Sequence, residues 1–357
     1  MTPALLRTTL SSVLVLFMLA SAHLLMVVVN AVEARVAAPQ PSAGLTARMY
    51  TDRPLVDELE SALRKEQAPA NQLVLQRAVD QARAGREVTL HTLPVTPFLV
   101  QATLALTLAG LVLMWTTSRL KSDAAQTIVG VFAGNLIWTG SVEYGLTIAA
   151  RTFGVAKAIT VTNGQLTAVY GEYVLLKHTW GAMVLVLGYL LFLESSRCPL
   201  FLEWRSHVPT MRGSLTTGRI DNYGPRSAFQ YATTVWAFYL LLLWAYDESV
   251  FGVHGLFTNA VLFVSLAGSL YCLWRLHQHK GWGPAIRYAV GAMIVVWTPI
   301  EIAGKWGVFR QPWIMLQSSS MIIFFGGLAL GTWLLWRAQQ RRSTSAPVPD
   351  SHLAESA

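Results

Sequence analysis

Charge is what this chain has least of. Asp, Glu, Lys and Arg make up 13% of its 357 residues, against 53% hydrophobic residues, whereas soluble domains carry roughly 25% charged. That imbalance excludes a soluble globular domain and leaves a polytopic membrane protein. Cysteine is nearly absent as well. Cys198 and Cys272 are the only two. They lack the close spacing of a zinc site, and both fall near the face read below as cytoplasmic, where a structural disulfide is not expected. No HExxH, no Glu-x-x-His on a single helix and no multi-histidine box of the membrane desaturase kind occurs. Nor is there an internal repeat beyond a short echo, GSVEYG around Glu143 against YGEY around Glu172. The net charge of +8 does not point to nucleic acid. The basic residues sit in short loops between apolar runs, with no aromatic-interleaved patch.

What the chain does have is apolar runs of spanning length, about 20 residues each. They lie near 8–30, 95–117, 127–149, 171–193, 228–247, 256–275, 286–304 and 317–337. They predict an all-α fold, a polytopic integral membrane helical bundle of about eight transmembrane helices. Residues 1–32 read as an uncleaved signal anchor, although Val32-Glu33-Ala34 weakly resembles a signal-peptidase site. Residues 33–94 form an outside (periplasmic) segment. Pro54 to Val88 within it has Leu and Val at helical spacing among mixed charges and predicts one or two short amphipathic helices. Residues 95–337 make a seven-helix transmembrane bundle, and the polar 338–357 tail is expected to be disordered.

Orientation follows from the short-loop Lys and Arg. Arg119 and Lys121, the arginines at 197, 205, 212, 219 and 226, Arg275 with Lys280 and Arg287, and Arg337 with Arg341 and Arg342 mark four cytoplasmic places. The opposite loops are poorer in them. Both termini are therefore expected in the cytoplasm, in a multi-pass cell-membrane protein of the bacterial inner-membrane type.

With that orientation the few ionisable residues of the apolar segments come to one level, the outer third of the bilayer. A charge at such depth costs a few kcal/mol or more, so a site is a better reading than scatter. Glu143 lies one to two turns below the outer surface. Glu172 opens helix four with His178 about 9 Å deeper at 1.5 Å per residue. Glu248 and His254 flank the loop after helix five, beside Asp247. Glu301 and Lys305 follow Pro299, whose missing N–H frees a carbonyl one turn earlier. The expected site is a metal centre ligated by Glu143, Glu172, His178, Glu248, His254 and Glu301, with Glu143 and His178 catalytic. Carboxylate and imidazole suit iron, copper, manganese or zinc. A b-type haem would need paired intramembrane histidines, and only His23 and His178 are deep enough to be candidates.

Plainer readings stand beside these. Glu301 and Lys305 have the order of an intrahelical ion pair; Asp247, Glu248 and His254 fit water at the membrane boundary; His277 and His279 fit a solvated loop; His91 fits an exposed position before helix two; Lys177 fits snorkelling. The aromatics at the same level fit an interfacial belt, with Tyr144 and Tyr173 placed to donate to neighbouring glutamates. Three functions accommodate the set. One is a metal-dependent membrane enzyme acting on a lipid or apolar substrate, with oxidoreductase chemistry as the expected class. The others are a proton- or cation-coupled transporter or channel component, and a non-catalytic subunit that docks a periplasmic partner. The expected partners are the lipid bilayer and a periplasmic or membrane protein, with no nucleic acid.

Overall fold

The computed structural model describes residues 2–36, 55–91, 94–162, 164–189, 203, 222–314, 322, 325–327 and 329–334. Most of the predicted eighth span, most of the loop before helix five and the 338–357 tail lie outside these residues.

Among the described residues five helices are long and apolar enough to cross a membrane. They are α1 (Pro3–Val36), α4 (Pro97–Thr116, prolonged by a 3-10 turn to Arg119), α9 (Gly224–Ala245), α10 (Leu256–Gln278) and α11 (Trp282–Lys305). A sixth rod is continuous but changes winding: α5 (Asp123–Ile137) passes into a π-helix (Trp138–Tyr144) and then α6 (Gly145–Phe153). The expected fourth span is broken. α7 (Glu172–Lys177) ends in a turn at His178 and Thr179, and α8 (Trp180–Gly188) resumes after it.

The centre of the bundle is α11. Its Ala285, Ala289, Gly291 and Ala292 are buried small residues that let α1, α5, α9 and α10 approach closely. Pro299 within α11 cannot bond the Val295 carbonyl, which instead accepts a long hydrogen bond from Ser269 Oγ on α10 at 3.4 Å. Across the bundle, Gly130 and Gly134 of α5 meet Gly224 and Ala228 of α9. A Cβ on Gly130 would lie 2.3 Å from the Gly224 carbonyl oxygen, so these two backbones touch directly, as in small-residue crossings of membrane helices. α4 and α10 expose Leu104, Leu108, Val112, Phe263, Val264 and Leu270, faces that suit lipid because their backbone bonds close within the helix.

One end of the bundle carries a cap. α2 (Leu55–Lys65) and α3 (Pro69–Arg83), the short helices expected from Leu and Val spacing, pack on a β-hairpin, β1 (Ala156–Thr162) and β2 (Gln165–Tyr170). The hairpin departs from the all-α expectation among the described residues. Its signal is legible: Ala-Ile-Thr-Val-Thr, then Asn-Gly, then Gln-Leu-Thr-Ala-Val, an alternating pattern around the strongest two-residue turn signal. Gly164 takes φ +76°, which the turn requires. The inward residues Ile159, Leu166 and Ala168 complete a core with Leu59, Leu75 and Val79. α2 and α3, too short for a core of their own, thus borrow one from a hairpin that begins 73 positions after α3 ends. His91 joins it by accepting from Ala168 N and donating to Leu166 O, each at 2.8 Å.

A buried ion pair fastens the cap end. Arg151 at the end of α6 holds Glu33 of α1 through both guanidinium nitrogens, at 2.5 and 3.0 Å. Thr96, the N-cap of α4, donates to the same carboxylate at 2.7 Å.

Candidate functional site

A cavity of about 620 Å³ runs from beneath the cap into the bundle, between α1, the π-helix, α7, α9 and α11. That is ample for a small amphiphile. Glu143, Glu301, Asp247 and Glu248 line it, together with His23, Tyr173, Tyr239, Trp138 and Trp297.

Glu143 is 3% exposed, and its placement depends on the π-helix. Trp138 Nε1 donates to Glu143 Oε1 at 3.0 Å across five positions. On an α-helix, five residues leave side chains about 140° apart. The i→i+5 winding brings them onto one face, and such segments recur at functional sites. The wide turn is accommodated where Gly140 lies against α4: a Cβ there would sit 2.7 Å from Thr107 Oγ1 and 3.0 Å from the Thr103 carbonyl. Glu301 is held by ordinary α-helical spacing, taking Trp297 Nε1–H at 2.8 Å. Each carboxylate has one oxygen fixed by an indole of its own helix. Neither second oxygen has a hydrogen-bond partner among the described residues.

Between these helices lies Tyr239, its ring 6.3 Å from both His23 and Trp138 and 5.9 Å from Tyr173. His23 stacks on Trp297 at 6.1 Å. The deep wall ends at a hydrogen-bonded layer. Tyr231 OH donates to Asn135 Oδ1 at 3.0 Å and Asn135 Nδ2 donates to Ser21 Oγ at 3.2 Å, which ties α9, α5 and α1 together and closes the floor. Beyond it apolar packing resumes around further buried polar residues, among them Arg287, whose Nη1 donates to Thr127 Oγ1 at 3.2 Å.

At the cap end the lining is lysine-rich: Lys65 on α2, Lys157 on β1, Lys177 on α7 and Lys305 on α11. Lys177 pairs with Asp247 at 2.5 Å. Burial pushes Asp247 up, but the Lys177 and Ser249 hydrogen bonds outweigh it and hold the carboxyl below its usual range. Lys157 and Lys305 instead lie over the rings of Tyr173 and Tyr246, at 5.4 and 5.8 Å. Burial of its ammonium end lowers the Lys157 pKa. The Lys305 charge lowers it further, Glu172 opposes, and Lys177 and Lys65 add to the depression.

The structure therefore gathers Glu143, Glu301 and Glu248 of the expected set, with Asp247, around one cavity. The others are placed elsewhere. His178 is exposed at the break between α7 and α8, because the helix that was to carry it inward stops at Lys177. His254 is exposed, its ring tilted 30° against Trp306 at 5.5 Å. Glu172 lies near the hairpin, its Oε2 buried and without a partner among the described residues. None of these three lines the cavity. Among the described residues no three His, Cys, Asp or Glu side chains come together as a metal site. The expected Glu301–Lys305 pair is replaced by the indole bond to Glu301. Tyr144 donates not to a glutamate but to the Met26 carbonyl at 3.0 Å. Tyr239, Lys65 and Lys157 were not singled out in the sequence; only the Asn-Gly turn signal bears on any of them, since it sets the hairpin that carries Lys157. Compared with known protein families, curated proteins and solved structures, the chain matches none.

Proposed function

We propose that this is a multi-pass membrane protein of about eight spans with both termini in the cytoplasm. Its cavity then faces outward, receives a lipid or other apolar substrate and works on it by proton transfer through Glu143 and Glu301. One observation carries the reading: two carboxylates from different helices line one cavity, each anchored by an indole N–H and each keeping an unpartnered oxygen. A general acid or base needs that combination of fixed orientation and a free oxygen within reach of substrate. The aromatic wall supplies apolar contact for the substrate body. Of the ligands expected of a metal centre, Glu143, Glu248 and Glu301 line the cavity while the imidazoles of that set lie off it, which favours proton transfer over metal ligation. The closed floor at Tyr231 and Asn135 favours an enzyme or binding protein over a conduit.

Wild type, Glu143→Gln and Glu301→Gln are to be purified from the same cells and their co-purifying lipids compared by mass spectrometry, beside thermal stability in mild detergent. The variants should fold and hold the same lipid as wild type but lack its converted form. Identical lipid profiles in all three equally stable proteins would overturn the reading.

A further inference from the structure

We infer that the substrate of this cavity is an anionic amphiphile, whose phosphate or carboxylate head rests among Lys65, Lys157 and Lys305 while its apolar tail enters the aromatic chamber. The inference rests on the proposed cavity function and adds the ligand class. It starts from position. The three lysines come from α2, β1 and α11, elements far apart in sequence, yet all line the same end of one cavity. Among the described residues neither Lys157 nor Lys305 forms an ion pair; each ammonium lies over an aromatic ring, with Glu172 acting on Lys157 only as a longer-range charge.

Three of the carboxylates lining this end are already engaged. Asp247 takes Lys177 and Ser249, Glu248 accepts from the Val253 N–H at 3.2 Å, and Glu58 is likewise partnered. Converging like charges repel one another, a repulsion that adds to burial, the larger cause, in lowering the Lys157 pKa against the opposing charge of Glu172. An anion placed among them relieves it. Tyr246 OH is buried with no hydrogen-bond partner among the described residues and lines the chamber, a donor left for a head-group or glycerol-type oxygen. A cationic amphiphile would have to pass the lysines first.

The test uses the full chain in phosphatidylcholine nanodiscs, titrated calorimetrically with three water-soluble probes of one tail: octyl phosphate, octyl glucoside and octyltrimethylammonium. Inorganic phosphate is the tail-free control. Octyl phosphate should bind at least tenfold tighter than the other two, and inorganic phosphate should not bind at the same concentration. Lys157→Gln with Lys305→Gln should remove the tenfold preference and leave octyl glucoside binding unchanged, while Lys157→Arg should keep the preference. Equal binding of the three octyl probes, or an octyl phosphate affinity unmoved in the double variant, overturns the anion inference and leaves the cavity reading standing. Binding of inorganic phosphate as tight as octyl phosphate overturns the amphiphile and assigns the lysines to a free anion. Failure of every octyl probe to bind would sink the cavity reading itself.

Discussion

The crossing of α5 and α9 sets the geometry of the whole cavity, because one carries the π-helix with Glu143 and the other carries Tyr231 and Tyr239. Replacing Gly130 by alanine puts a Cβ 2.3 Å from the Gly224 carbonyl oxygen and 2.8 Å from its Cα; at Gly134 the Cβ falls 2.7 Å from the Ala228 carbonyl oxygen. These are backbone atoms, so no rotamer change gives relief and the helices must part by about 1 Å to restore van der Waals distance. Overpacking of that kind costs about 1–3 kcal/mol, with Gly130→Ala the worse of the two. Gly145→Ala is the control: a Cβ there has nothing within 4 Å, and alanine in a helix interior is favoured over glycine by about 0.5–1 kcal/mol. Unfolding in mild detergent, followed by tryptophan fluorescence against added denaturing detergent, should rank the proteins Gly145→Ala, wild type, Gly134→Ala, Gly130→Ala from most to least stable. A Gly130→Ala protein as stable as the Gly145→Ala protein would refute the close crossing.

Two further outcomes are expected. The Glu33–Arg151 pair is desolvated, with side chains 9% and 5% exposed, so Glu33→Gln or Arg151→Met alone should lose about 3–5 kcal/mol by stranding the partner charge. The double variant should lose less than the sum, and additive losses in that cycle would show the charges to be independent. For the proposed orientation, a cysteine at exposed Ala84 in the cap should react with an impermeant maleimide in intact cells, and one at Ser343 only after lysis. The reverse pattern would put the cavity on the cytoplasmic side.

Much of the helical frame was legible because a spanning helix needs only length and apolarity. The runs at 8–30, 95–117, 228–247, 256–275 and 286–304 each coincide with a long apolar helix. The hairpin was legible in principle too, from Asn-Gly and the alternation around it, but it lay between two apolar runs where a plain loop was expected. The candidate site was only half legible. Glu143 and Glu301 stand out as charges in apolar sequence, and both line the cavity. His178 stood out for the same reason and lies off it, because a depth estimate assumes a straight helix and the chain turns at His178 and Thr179.

Composition alone determined that this chain folds mostly as apolar helices, since so few charges leave backbone hydrogen bonds to be satisfied within each segment. Which side chains meet was decided by tertiary structure. Lys65, Lys157 and Lys305 share one cavity end because the cap folds back over the bundle; Lys305 stands out as a charge in apolar sequence, but nothing local marks Lys65 or Lys157. Trp138 reaches Glu143 because the helix unwinds by one residue where Gly140 packs on α4. Periodicity assigns a residue to a face only while the winding stays regular, and at this site it does not.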